Sequence, residues 1–106
     1  LWTGGKFTTP RGYVMVNAVA LLGPEWAGHP RLNRNGHILE HIAVMEVKLG
    51  RRLRKGENVH HRNGVKTDNR PENLELWVTK QPLGQRPADL VAYAKEILDL
   101  YGDGDY

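Results

Sequence analysis

The chain has 106 residues, 40% of them hydrophobic and 25% charged, as expected of one ordinary soluble globular domain with a modest core. It contains no cysteine, which excludes a disulfide framework and a zinc site built on thiolates. The formal charge is +3, and residues 31–70 carry ten basic against four acidic side chains, which indicates either a nucleic-acid partner or a solvated basic surface.

The N-terminal third predicts one strand between two irregular segments. Residues 1–11 hold two glycines, a proline and paired threonines, so they predict an irregular arm. The β-branched segment 13–16 predicts a strand. Residues 23–36 contain Gly-Pro, His-Pro and Asn-Gly pairs and predict a loop. The longest apolar run, Val14 to Leu22, is interrupted by Asn17 and is too short to cross a bilayer, which takes about 20 residues.

A helix is predicted next, followed by a basic loop. Its apolar residues recur at i, i+4, i+7 and i+11, one face of a helix: Ile38, Ile42, Met45 and Leu49. Gly50 is expected to end this helix in a left-handed conformation. The loop between Gly50 and Gly56 carries four of the basic side chains.

The second half predicts a hairpin and a helix. Residues 57–61 and 74–78 predict short strands, joined by a polar loop in which Asn69, Pro71 and Glu72 resemble a capped single helical turn. An apolar stripe at helical spacing predicts a helix from Pro87, with Gly102 at its stop position. We expect this stripe to pack on the core, with partner docking as the second interpretation. The fold class is therefore α+β.

The adjacent pair His60-His61 is the candidate for chemistry. At the end of a strand the chain turns, so that both rings can be aimed into one cleft and take different tasks. A neutral imidazole can bind a metal ion, and a second one can take a proton from water. On its own such a pair is more often two polar residues at a strand end.

The residues around the pair resemble a known family. The run Val59 to Trp77, which reads VHHRNGVKTDNRPENLELW, is similar to the core of the HNH endonucleases, especially the phage and intron-borne branch. Residues 36–51 resemble the helix that precedes this core, and Gly12-Tyr13-Val14 resembles its leading strand, so the resemblance covers most of residues 11–86. It implies a ββα-metal core with an N-terminal strand and helix and a C-terminal helix.

The resemblance also implies roles for individual residues. His61 matches the catalytic general base and His60 the first metal ligand. Asn73 matches the middle asparagine, which braces the loop and orients the catalytic histidine. The family places a second ligand, His or Asn, beyond the second strand. Here Gln81 is the nearest residue with a side-chain oxygen, which favours Mg²⁺ or Mn²⁺, with Zn²⁺ or Ni²⁺ as alternatives.

The partner implied is DNA, most simply double-stranded, with no membrane; the oligomeric state stays open. Phosphate contacts are expected from the basic residues that flank the histidine pair: Arg51, Arg52, Arg54, Lys55, Arg62, Lys66 and Arg70. Asp68, Asn69 and Pro71 are expected only to shape the loop. His41 is more simply a structural helix residue than a functional one, and His29 and His37 are given no role.

We expect residues 1–106 to form a single HNH nuclease domain: an arm over 1–11, the ββα-metal core over 57–86 and the C-terminal helix over 87–102. The expected activity is metal-dependent hydrolysis of DNA, with a cytoplasmic or phage-encoded intracellular setting. Two alternatives stay open, a non-catalytic HNH-like binding or assembly module and a nuclease module of a larger complex. The first residue, Leu1, is compatible with a piece of a longer protein.

Overall fold

The computed structural model describes residues 5–79, 86–104 and 106. Over these residues the chain forms two small antiparallel sheets and three α-helices, and the predicted α+β class is confirmed. In chain order the elements are β1 (Lys6–Thr8), β2 (Val14–Asn17), α1 (Ala18–Leu22), a 3-10 turn (Pro24–Trp26), β3 (His37–Leu39), α2 (Glu40–Leu49), β4 (Glu57–His61), a 3-10 turn (Pro71–Asn73), β5 (Leu74–Val78) and α3 (Pro87–Tyr101).

The first sheet joins β1, β2 and β3 in that order, with Phe7 opposite Met15 and Met15 opposite Leu39. The sequence predicts an irregular arm where β1 lies. All three residues of β1 are exposed, so this edge strand depends on backbone pairing with β2 and lacks the alternating pattern that reveals a half-buried strand. The pairing attaches the arm to the rest of the fold.

Asn17 divides the long apolar run into two elements. Its side-chain oxygen accepts a hydrogen bond from the backbone amide of Ala20 at 3.1 Å, which is the N-cap interaction that begins a helix. The strand β2 therefore ends at Asn17 and α1 begins at the next residue. Gly23, with a φ of 115°, ends this short helix.

The central helix α2 begins two residues later than the apolar spacing predicts. Ile38 fits the helical repeat, yet it lies in β3, opposite Val16, and is buried there. The helix is buried on all sides from Glu40 to Glu46, so its residues face both sheets and the amphipathic pattern is weak. Gly50 ends the helix as predicted, in the left-handed region at φ 74°, with its amide bonded to the carbonyl of Glu46.

The core consists of two clusters on either side of α2. One contains Ile42 and Ala43 of α2, packed against β2, β3 and α1. The other contains Val44 and Met45 of α2, packed against Leu74 at the start of β5. The helix therefore determines how the first sheet and the hairpin lie relative to each other.

The hairpin of β4 and β5 has the bounds that the sequence predicts. The two strands pair from Glu57 opposite Val78 to His61 opposite Leu74, so His61 occupies the last pair before the loop. The loop closes through the 3-10 turn, which begins at Pro71 with Arg70 at its N-cap position. Asn69, the predicted cap, directs its side chain elsewhere, to His61.

A buried carboxylate attaches α3 and the basic loop to the hairpin. Glu57 accepts hydrogen bonds from Arg51 at 2.8 and 2.9 Å, from the Tyr101 hydroxyl at 2.7 Å and from the backbone amide of Arg54. Burial disfavours the charge on Glu57, but these donors outweigh it and place its pKa below the ordinary value. No residue of α3 is fully buried, so the interaction with Tyr101 contributes to holding the helix in place.

We expect Arg51→Ala to lower the free energy of unfolding by about 2–3 kcal/mol, because it leaves the buried carboxylate of Glu57 with weaker compensation. Arg52→Ala, on an exposed neighbour in the same loop, is the matched control and should change stability by less than about 0.5 kcal/mol. Urea unfolding of both variants measures the difference. Equal effects would show that the ion pair contributes nothing to stability.

Candidate active site

A cleft of about 440 Å³ lies where the N-terminal sheet, α2 and the hairpin meet. It contains three of the five histidines of the chain, and two of these are the adjacent pair that the sequence singles out. The lining residues, called the cleft below, are Tyr13, His41, Asn58, Val59, His60, His61, Gly64, Lys66 and Trp77.

His61 lies at the end of β4 with only 8% of its surface exposed. Its Nε2 atom is 2.6 Å from the side-chain oxygen of Asn69. Asn69 is buried as well, and its amide nitrogen donates to Glu40 Oε1 at 2.9 Å. Lys6 Nζ lies 2.9 Å from the other oxygen of Glu40. The histidine is therefore held by a continuous set of polar contacts that runs back to β1.

His60 stands beside it in a different environment. Its ring stacks on Trp77, with ring centres 4.0 Å apart and planes 14° from parallel. The indole nitrogen of Trp77 donates to Glu75 at 2.8 Å, which fixes the face that the histidine packs against. Trp77 thus packs at the edge of the hairpin and orients the imidazole of His60 along the wall of the cleft.

His41 is the third histidine of the cleft, contributed by α2. Its ring lies 5.0 Å from the ring of His61 and 5.4 Å from Tyr13. Burial is the main cause that lowers the pKa of His41 to about 4, with smaller contributions from His61 and Arg31 and an opposing one from Glu40. His41 is therefore neutral at physiological pH. The sequence favoured a structural role for this residue, and the structure places it inside the cleft.

Asn73 braces the loop from its far end. Its amide nitrogen donates to Asn63 Oδ1 at 3.0 Å and to the carbonyl of Asp68 at 2.8 Å, and its oxygen accepts from the Asn63 backbone amide at 3.3 Å. These contacts tie the two ends of the loop together. The hydrogen bond to the His61 ring is made by Asn69.

Asp68 organises the outer part of the same loop. It accepts two hydrogen bonds from Arg70, at 2.8 and 2.9 Å, and one from Asn63 at 2.8 Å. The hydrogen bond from the Arg70 guanidinium is the main cause that holds the pKa of Asp68 below its ordinary value. The loop that carries Asn69 is therefore fixed by side-chain bonds along most of its length.

The predicted DNA-contacting residues fall into three groups. Lys66 lies at the cleft, with Nζ 3.0 Å from the carbonyl of Arg11 and 4.8 Å from the centre of the Tyr13 ring. The exposed residues beyond the cleft are Arg52, Lys55, Arg62 and Arg70, of which the last two also lie beside carboxylates. Arg51 and Arg54 instead direct their guanidinium groups toward Glu57.

Few metal-binding side chains lie together at the cleft. In the part of the chain that the structure describes, no group of three or more histidine, aspartate or glutamate side chains is arranged to hold a metal ion. His60 supplies one imidazole at the cleft. This donor set fits a cation that keeps most of its water, as Mg²⁺ does. Gln81 lies outside the described residues.

The comparison with protein families agrees with the arrangement of the site. Residues 39–85 match the family model described as HNH endonuclease. This match supports the assignment of the segment to the HNH endonuclease family. The matched segment covers α2, both hairpin strands and the loop between them. Proteins of the family generally bind DNA and use divalent metal ions.

Comparison with curated proteins and with solved structures gave no match. Among the described residues, no helix is long and apolar enough to span a membrane.

Two buried residues of the cleft region could not be found from the sequence. Glu40 and Asn69 are 29 positions apart and meet only after α2 packs on the hairpin. The sequence predicts only a loop-shaping role for Asn69, because an Asp-Asn pair is a common turn pattern. The one available signal was Glu40, the acidic residue beside His41 at the start of α2.

The lowered pKa of His41 predicts a loss of stability in acid. Its folded pKa of about 4 lies below the ordinary 6.5, so protonation favours the unfolded chain. The contribution is fully present above about pH 6.5 and declines as the pH falls toward about 4, by up to about 3 kcal/mol.

His41→Gln should remove this decline, whereas His37→Gln, a half-buried histidine outside the cleft, should retain it. The measurement is the free energy of unfolding in urea at pH 7 and pH 4.5, without metal. Parallel pH dependence in wild type and His41→Gln would contradict the prediction.

Proposed function

We propose that this chain is a metal-dependent endonuclease that hydrolyses DNA phosphodiester bonds, of the phage and intron-borne HNH branch. The observation that carries the proposal is the placement of His61. Its ring lines a cleft beside His60, and one ring nitrogen is already engaged by Asn69. An imidazole that is oriented in this way has its other nitrogen available for proton transfer.

His61 acts as the general base in this proposal. It accepts a proton from the water that attacks the phosphorus, within reach of the strand bound in the cleft. His41 stays neutral beside it and adds no repulsion when His61 becomes positively charged. Asn73 keeps the loop in place through its contacts with Asn63 and Asp68.

His60 would hold a divalent cation, Mg²⁺ or Mn²⁺, with Gln81 as the proposed second ligand. The cation would offset the negative charge that develops on the phosphoryl and departing oxygens. The stack on Trp77 keeps the imidazole of His60 on the cleft wall. A site with one imidazole and one amide should bind zinc weakly.

The DNA duplex is proposed to lie across the basic face next to the cleft. Lys66 is placed to contact a phosphate of the bound strand, and Arg52 and Lys55 are exposed for contacts farther along the backbone. Contacts of this kind do not read bases, so sequence specificity from this chain alone should be low.

A plasmid-nicking assay with titrated Mg²⁺ tests the activity. His61→Ala should reduce the nicking rate by about 100- to 10 000-fold, because it removes the base, and should leave metal and DNA binding intact. His37→Ala, a histidine outside the cleft, is the matched control and should cut normally.

Calorimetry of metal binding shows whether the two histidines have been given the correct roles. Loss of metal binding in His61→Ala would mean that they are exchanged. If the wild-type protein binds DNA but does not nick it at any Mg²⁺ or Mn²⁺ concentration, the nuclease proposal is wrong. The non-catalytic binding module would then be the better interpretation.

The exposed basic residues make a separate prediction about binding. Arg52→Ala combined with Lys55→Ala should weaken the affinity for all DNA sequences alike and reduce the slope of log K against log salt by about 2, since about 0.9 is lost per phosphate contact. Arg51 stays unchanged because its substitution would disturb Glu57. Lys95→Ala, on the exposed surface of α3, is the control. A changed sequence preference at an unchanged salt slope would contradict phosphate contact.

A further inference from the structure

The two hydrogen bonds of the Asn69 side chain allow only one assignment of donors and acceptors. The Asn69 amide nitrogen donates to Glu40, a carboxylate with 3% exposure, so the Asn69 oxygen is the atom that faces His61. That oxygen can only accept, and therefore His61 Nε2 must carry a hydrogen. In the neutral imidazole the other nitrogen, Nδ1, then holds the lone pair.

We propose that Glu40 and Asn69 are positioning residues that hold His61 in the Nε2–H tautomer, so that Nδ1 is the basic nitrogen of the cleft. The proposal rests on the function of His61 as general base. Neither residue touches DNA or the attacking water in this arrangement; both act through His61.

The contacts join three separate parts of the fold. Glu40 begins α2, Asn69 belongs to the hairpin loop and His61 ends β4. Asn69 has 2% of its surface exposed, so water does not compete for these bonds and the amide has little freedom to turn over. Turning the amide would place its nitrogen against the ring nitrogen of His61 and its oxygen against the Glu40 carboxylate.

The charge on Glu40 also strengthens the bond that holds the tautomer of His61. The carboxylate polarises the Asn69 amide, which makes its oxygen a stronger acceptor for the Nε2–H group. Lys6, at 2.9 Å from Glu40, balances the buried charge and connects β1 to the site. His61 can then gain a proton at Nδ1 while Nε2 keeps its bond to Asn69.

Nitrogen-15 NMR of the histidine side chains measures the tautomer directly, in the protein without metal or DNA. Wild-type His61 should show a protonated Nε2 and an unprotonated Nδ1 as a single form. Asn69→Ala should show both tautomers in exchange. Asn35→Ala, an exposed asparagine outside the loop and the cleft, is the matched control and should keep the single form.

Two variants of Glu40 test the same contact in case Asn69→Ala does not fold. Glu40→Gln keeps the volume of the side chain and can still accept from Asn69, so the tautomer should persist. Glu40→Ala removes the acceptor and should mix the tautomers as Asn69→Ala does. Dispersed backbone amide shifts show which variants are folded.

In the nicking assay Asn69→Ala should lower kcat by about 10- to 100-fold with little change in KM, the size seen when the partner that orients a functional histidine is removed. Glu40→Ala should lower kcat to a similar extent, whereas Glu40→Gln should keep most of the wild-type kcat. A merely structural role would change the stability of the variants and leave the tautomer of the folded protein alone.

The two readouts separate the failure of this proposal from the failure of the proposed function. An Nδ1–H form in the wild type, or a single Nε2–H form in folded Asn69→Ala, would overturn the positioning role, whether or not the protein cuts DNA. The wild type could show a single Nε2–H form that becomes mixed in Asn69→Ala, while the protein never nicks DNA. That result would support the positioning role of Asn69 and contradict the proposed nuclease function.

Discussion

The packing of Leu74 against Val44 and Met45 joins α2 to the hairpin, and the geometry of the site depends on it. Leu74 is fully buried and is the direct cross-strand partner of His61. The apolar contact on one strand therefore fixes the position of the histidine on the other. Because Glu40 and His41 belong to the same helix, this contact also brings them to within bonding or van der Waals distance of the loop and of His61.

The hairpin was predictable because its signals are local. Short β-rich segments at 57–61 and 74–78 surround a polar loop, and the observed strands have these bounds. Gly50 likewise marks the end of α2 by its own conformational freedom. The three histidines of the cleft were harder to predict, since only two are neighbours in the sequence.

What could not be predicted depends on residues distant in the sequence. Ile38 satisfies the helical repeat, but pairing with Val16 draws it into a strand. The bond between Asn69 and Glu40 has no local pattern, because a loop asparagine is equally suited to a turn. Part of the positive charge of residues 31–70 is neutralised within the fold, because Arg51 and Arg54 face Glu57. The net charge of this segment therefore overstates the positive field that DNA would meet.

The position of His60 and His61 on the last two pairs of the hairpin bears on how such a chain tolerates insertions and deletions. Neighbouring strand residues lie on opposite faces, so removing one residue from β4 ahead of the pair would exchange the faces of the two histidines. A length change at the exposed tip of the loop, near Gly64, leaves that pairing register intact. Homologous chains should therefore differ in length at the tip of the loop and keep the spacing between Glu57 and His61 constant.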